Sequence, residues 1–166
     1  MGNYLIRKDQ NGNKIIQKPI NNESASWESV FPFYNSVTSI GERGLQYVFY
    51  NCWGLTGSIS FPSLTSIGDS GLCGTFTGCT GLTGSISFPN LTYIGENGLD
   101  NAFCGCTGLT SASFPNLTDI GVQGLNDTFW GCKGLKEVHF KSSLSGNPHC
   151  TASNMGCTNA TIYFDL

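Results

Sequence analysis

Cys104, Cys106, His149 and Cys150 are donors of the kinds that hold zinc. A structural zinc centre takes thiolates and imidazoles in close pairs, typically a CxxC, because each pair sets two ligands around one ion. No CxxC occurs here, and more than 40 residues separate Cys106 from His149, so the spacing argues against a metal. His139 is the other group suited to moving a proton. No Ser or Cys stands at a defined spacing from it, and a base needs a nucleophile within hydrogen-bond reach. It reads as a surface imidazole. Nucleophile motifs, phosphate loops and paired carboxylates are missing from the sequence, so the expectation is a non-enzyme without cofactor or metal.

The cysteines make more sense by position than by chemistry. Five of the eight, Cys52, Cys79, Cys106, Cys132 and Cys157, occupy one column of an internal repeat. The segments "NCWGLTGSISFPSLTSIG", "GCTGLTGSISFPNLTYIG", "GCTGLTSASFPNLTDIG" and "GCKGLKEVHF" space the first four by 27, 27 and 26 residues. Self-similarity at that period means a solenoid whose repeats cover one another. In such a stack the column cysteines act as buried reduced thiols that pack like small hydrophobes. Cys73, Cys104 and Cys150 fall off the column. Cys73 and Cys104 are expected to face solvent, and the pairing of the three stays open.

Within one unit the large apolar columns are Leu72, Phe76, Cys79, Leu82, Ile86, Phe88, Leu91 and Ile94. Leu99, Phe103, Cys106, Leu109, Ala112, Phe114, Leu117 and Ile120 match them downstream. The i, i+4, i+7 spacing of Leu72, Phe76 and Cys79 predicts a helix of about two turns. Gly54, Gly81, Gly108 and Gly134, two residues past each column cysteine, would close it in the left-handed region. LxxLxL then predicts a short strand, which proline ends in three repeats because it has no ladder donor. Repeats one and two carry one extra residue beside Gly57 and Gly84, which predicts a bulge at each. The strands should align in one parallel sheet.

The order LxxLxLP, LxxIG and then a segment ending in FxxC resembles the bacterial BspA-like leucine-rich repeat, also called the Treponema pallidum type, over residues 37 to 140. "WESVFPFYNSVTSIG" reads as a degenerate opening unit and "GCTNATIYFDL" as a closing half-unit. The chain departs from the family pattern in having GLxxxF where a shorter IGxxAF is usual. The resemblance implies an α/β repeat solenoid, with a parallel β-sheet on one face and short helices on the other. It also implies a non-enzymatic surface binding protein, used in adhesion or recognition of protein or glycan ligands on a host or neighbouring cell. By that resemblance the location is the cell surface or outside the cell, although no signal peptide is visible. No catalytic residue comes with the repeat.

A ligand surface therefore has to be argued from outward side chains. The strand positions Thr56, Thr83, Thr110 and Lys136 form one column, and Ser60, Ser87, Ser113 and His139 another. Such a hydroxyl-rich face can bind a partner or simply solvate the sheet. Tyr50, Trp53 and Trp130 stand in columns that elsewhere hold Thr, Cys or Lys, and exposed aromatics of this kind stack on sugars or anchor protein partners. The competing reading is that Trp130 belongs to a terminal cap and Trp53 packs on a loop. Five Asn-x-Ser/Thr matches, at Asn22, Asn90, Asn116, Asn126 and Asn159, read as incidental to the repeat.

Domain organisation follows the repeat. Residues 26–166 form about five repeats including a C-terminal cap, and residues 1–25 form a polar arm or capping hairpin with Asn11 and Gly12 at its turn. The arm holds Arg7, Lys8, Lys14 and Lys18, and beyond residue 22 four basic residues face ten acidic ones. An acidic body argues against nucleic acid, which needs clustered Lys and Arg. No apolar run is long enough for membrane insertion. The basic arm supports an alternative function, a structural or display component of a cell-surface or virus-particle assembly, with self-association in place of a ligand.

Overall fold

The computed structural model describes residues 24–166 in full, together with the backbone of two short strands in the arm. Those strands, β1 (Ile6–Lys8) and β2 (Lys14–Ile16), pair antiparallel with Ile6 opposite Ile16 and Lys8 opposite Lys14. That register suits the predicted hairpin, whose turn residues Asn11 and Gly12 lie outside the described residues.

The body begins with β3 (Ala25–Ser26), the single-turn helix α1 (Trp27–Val30) and β4 (Ser39–Ile40). Three coils follow, each contributing one long and one short strand. These are β5 (Leu55–Ser60) with β6 (Ser66–Ile67), β7 (Leu82–Ser87) with β8 (Tyr93–Ile94), and β9 (Gly108–Phe114) with β10 (Asp119–Ile120). The fourth coil gives β11 (Glu137–Phe140), and two 3₁₀ turns then lead to β12 (Thr161–Phe164). The long strands and β3 make a six-stranded parallel sheet in the order β12-β11-β9-β7-β5-β3, and the short strands make a second parallel sheet, β10-β8-β6-β4. This is a parallel β-solenoid of the leucine-rich repeat kind, with about five turns.

The predicted columns face inward. All sixteen side chains from the Leu72 and Leu99 units are fully buried except Ile120, which is half-buried. Two phenylalanine ladders run along the axis. Phe49, Phe76, Phe103 and Phe129 stack at 5.6, 5.1 and 5.9 Å, and Phe61, Phe88, Phe114, Phe140 and Phe164 at 5.5, 5.4, 5.3 and 6.0 Å. Identical rings stack because identical residues recur at the coil spacing. Trp27 closes the N-terminal end of both ladders, with ring centroids 5.7 Å from Phe49 and 5.1 Å from Phe61.

The third side of the solenoid corrects one expectation. Residues 42–50, 69–78, 96–105 and 122–131 are runs of turns, and the structure puts no α-helix there. Their backbone N–H groups divide between two partners. Gly71, Cys73, Thr75 and Thr77 donate to carbonyls three residues back, while Ser70, Leu72, Gly74, Phe76 and Gly78 donate to Glu96, Gly98, Asp100, Ala102 and Cys104 in the next coil. An α-helix would spend every donor within itself. Here half of them join coils. Every fourth residue takes a positive φ, as in Ser70 (54°), Gly74 (60°) and Gly78 (74°), a repeat that no α-helix contains. Large residues spaced i, i+4, i+7 face inward in such a run as they would in a short helix, which is why the spacing alone misleads.

The glycine assignment shifts accordingly. Gly54, Gly81, Gly108 and Gly134 are not left-handed. Gly81 and Gly108 are required by close approach, since a Cβ would meet the Leu55 carbonyl oxygen at 2.6 Å and the Leu82 carbonyl oxygen at 2.5 Å. The expected bulges are present, with Gly57 at φ 86°, Gly84 at φ 78°, and a register shift beside each. Cys73 also departs from expectation. It is buried, because the ring of Tyr47 lies against neighbouring Gly74 and its hydroxyl sits 3.8 Å from the Cys73 sulfur.

Candidate functional site: an outward sheet face and two aromatic edges

Strand alternation turns every second side chain of the six-stranded sheet outward. Ser60, Ser87, Ser113, His139 and Tyr163 lie in register as one row across five strands. Ser85, Ser111, Glu137 and Thr161 form a parallel row. Thr83, Thr110 and Lys136 are exposed, whereas Thr56 is half-buried and its hydroxyl donates to the Ala25 carbonyl at 3.3 Å. The Thr110 hydroxyl likewise donates to Gly84 at 3.1 Å, so part of the hydroxyl array is engaged in holding coils together.

The rows end in a charged cluster. The imidazole of His139 stacks on Tyr163 at 4.8 Å, its Nδ1 lies 3.0 Å from Asp165 Oδ1, and its Nε2 lies 3.7 Å from Glu137 Oε2. A carboxylate at each ring nitrogen fixes the ring and leaves it no nitrogen aimed at a nucleophile. Tyr163, Glu137 and Asp165 were missing from the sequence-level site. Aligning the closing half-unit "TIYF" on "EVHF" would have placed Tyr163 behind His139.

The aromatic candidates separate into two groups. Tyr50 and Trp53, 44% and 56% exposed, belong to the first full coil, where Tyr47 adds a third ring at 5.9 Å from Tyr50 in an edge-to-face contact. Trp130, 61% exposed, sits three coils away, roughly 14 Å at the usual strand spacing. Its main chain is covered by the last coil, since a Cβ on Gly156 would meet Trp130 Cβ at 2.9 Å, while the ring points out. The first coil also borders an open apolar groove of about 340 Å³ lined by Phe31, Phe33, Val37, Ile40 and Leu45.

All eight cysteines are thiols. Cys79, Cys106 and Cys132 each donate to a carbonyl in the preceding coil, those of Phe49, Phe76 and Phe103, at 3.1 Å. Burial pushes the Cys132 thiol up to about 12 and Cys157 to about 11, and raises Cys106 further still. Cys104 is half-buried and raised by burial and by nearby Asp127. Cys104, Cys106, His149 and Cys150 are not gathered into a metal-holding group, and among the described residues no cluster of three such side chains is. The side-chain amides of Asn90 and Asn116 donate to the carbonyls of Pro62 and Pro89 at 2.6 and 2.7 Å, and Asn159 donates to Leu135 at 2.8 Å. In four of the five Asn-x-Thr/Ser matches, Asn126 included through its 3.0 Å bond to Asp100 Oδ1, the nitrogen that would carry a sugar thus ties two coils together. Asn22 lies outside the described residues. No helix among the described residues is long and apolar enough to cross a membrane.

Two of the comparisons with known proteins return a match. A Treponema pallidum leucine-rich repeat protein of solved structure aligns at TM-score 0.47 and 20% identity, covering 99% of this chain and 79% of that one. No curated protein matches the sequence. The profile of the BspA type leucine rich repeat region matches six copies over residues 45–163. The coil-by-coil columns and that match together place the chain in the BspA-type leucine-rich repeat family, whose repeats are generally protein-interaction modules.

Proposed function

We propose that the chain is a non-enzymatic binding module that works at a cell surface, recognising a protein or glycan ligand in adhesion. One observation carries this reading. The solenoid buries the rings of its two phenylalanine ladders from Phe49 to Phe140, yet leaves Tyr50, Trp53 and Trp130 between 44% and 61% exposed. Tyr and Trp dominate interface energies because they offer large rigid area at low entropy cost. The flat rows of Ser60, Ser87, Ser113 and His139 supply adaptable hydrogen bonds beside them. BspA-like repeat proteins are often surface-associated, and the rigidity of stacked coils suits display of such a face.

Beads coated with the purified chain should adhere to immobilised extracellular-matrix protein or glycan, and Trp53→Ala and Tyr50→Ala should weaken adhesion with the melting curve unchanged. Adhesion indifferent to Trp53, Tyr50 and Trp130 would remove the aromatic edges from the account. No adhesion, combined with open-ended self-assembly, would favour a structural or display component.

A further inference from the structure

Beyond residue 22 the basic residues are Arg43, Lys133, Lys136 and Lys141, so all but one fall in the fourth coil and the turn after it. Lys133 and Lys136 are exposed, and among the described residues no carboxylate pairs with either. The carboxylates nearest to them along the chain are engaged elsewhere. Glu137 Oε2 lies 3.7 Å from His139 Nε2, and Asp127 Oδ2 accepts from the Asn126 amide at 3.3 Å. Two unpaired ammonium groups thus stand in the same coil as the exposed ring of Trp130, on a body whose other charges are mostly acidic.

The hydrogen bonds between coils fix what lies beside that ring. Asn51 donates to the Thr77 carbonyl at 2.7 Å, Gly78 to Cys104 at 2.8 Å and Gly105 to Trp130 at 2.7 Å. Tyr50, Thr77, Cys104 and Trp130 therefore form one row across four coils. Three residues further on, Trp53, Thr80, Thr107 and Lys133 form a second row. Large side chains occupy only the ends of this band. Tyr50 and Trp53 stand at one end and Trp130 and Lys133 at the other, roughly 14 Å apart at the usual strand spacing. The middle is low and polar, with Thr80 and Thr107 exposed.

We propose that the band binds an anionic oligosaccharide, laid along the solenoid axis from Trp53 to Trp130, with a carboxylate or sulfate held by Lys133 and Lys136. The proposal rests on the binding-module reading and names the ligand class of that site. Each part of the band meets one part of such a ligand. The rings at the two ends offer flat apolar faces to the C–H faces of sugar rings. The threonine hydroxyls between them exchange hydrogen bonds with sugar hydroxyls. The lysines supply charge-assisted bonds to the acidic group, and their lack of carboxylate partners leaves them free to do so. A peptide adding a strand would need a free backbone edge, whereas the two middle coils are bonded on both sides. A nucleic acid would need a larger cluster of cations than these lysines provide, on a less acidic body.

Titration calorimetry of the intact chain tests this with three hexasaccharides: hyaluronan, which carries carboxylates, heparin, which adds sulfates, and the neutral polymer of N-acetylglucosamine. Saturable binding of an acidic hexasaccharide is expected, with the neutral one at least about fivefold weaker; comparison of the two acidic ligands tells carboxylate from sulfate. Trp130→Ala should weaken binding about tenfold. Lys133→Gln should weaken it about fivefold, and that difference should vanish in about 1 M salt, where the screening length is about 3 Å. Both side chains are exposed, so both variants should keep the wild-type melting curve. Equal affinity for the neutral hexasaccharide would overturn the proposal. So would unchanged binding by Lys133→Gln, or tighter binding of single-stranded DNA of similar length. If neither acidic hexasaccharide binds while beads coated with the chain still adhere to matrix protein through the exposed aromatics, this proposal falls and the binding-module reading stands. If the beads do not adhere either, both fall.

Discussion

Phe103→Ala removes a ring held between Phe76 at 5.1 Å and Phe129 at 5.9 Å, at a site with no exposure. Truncating a buried Phe costs about 3–5 kcal/mol, the spread reflecting how far the surroundings collapse. Collapse is hindered here. The Phe103 N–H is bonded to the Thr128 carbonyl at 2.9 Å and the Phe76 N–H to Ala102 at 2.8 Å, which fixes the spacing of the coils on both sides. Each lost ring stack adds about 0.5–1.5 kcal/mol beyond area, so the cost should lie toward the upper end, about 4–5 kcal/mol. At roughly 2–4 °C per kcal/mol for a chain of this length, the Tm should fall by about 8–20 °C. Phe164→Ala provides the internal comparison. Phe164 is half-buried and stacks on one ring at 6.0 Å, so its truncation should cost less than half as much. Thermal and urea melts followed by circular dichroism read both. Equal losses at Phe103 and Phe164, or a Tm that barely moves for Phe103→Ala, would refute the ladder as the source of stability.

Thiol titration at neutral pH should find the native chain slow to react, with half-buried Cys104 reacting first, whereas urea without reductant should release all eight cysteines; early reaction of Cys106 or Cys132 would contradict their burial. Cys132, Cys150 and Cys157 are pushed up to about 12, 12 and 11. The folded state thus holds protons that the unfolded chain releases above about pH 8.5. The stability these thiols contribute is fully present below that pH, and each should lose about 1.4 kcal/mol per pH unit between pH 9 and its folded value. A urea midpoint that is flat from pH 8 to 10.5 would contradict this. Gly108→Ala would place a Cβ 2.5 Å from the Leu82 carbonyl oxygen, so coils must part to admit it. Its melt should drop well below that of Thr83→Ala, which alters an exposed strand position.

Much of the fold can be read from the repeat columns because the coil spacing converts sequence period into spatial alignment. Leu82, Ile86 and Phe88 follow strand alternation, and the extra residue beside Gly57 and Gly84 has only a bulge to occupy. The turn side was harder to read. Leu72, Phe76 and Cys79 face the core in a helix and equally in a run of four-residue turns, and what separates the two is where the intervening N–H groups go. That depends on the next coil, which no local pattern contains. Cys73 shows the same limit, since its burial comes from Tyr47, 26 residues earlier. The site divides likewise. Ser60, Ser87, Ser113 and His139 follow from alternation, whereas Tyr163 and Asp165 enter only once the closing half-unit is known to supply a full strand. The exposure of Tyr50, Trp53 and Trp130 could be inferred from their variable columns, but the separation of Trp130 from the other two required the coil count.

The proposal of a binding module is tested most directly by presenting the labelled chain to an array of glycans and extracellular-matrix proteins. The account predicts a saturable hit that Trp53→Ala weakens at least tenfold, about 1.4 kcal/mol, with folding intact. A blank across the array, or a hit that survives loss of every exposed aromatic and of the Ser87 and Ser113 hydroxyls, would contradict it.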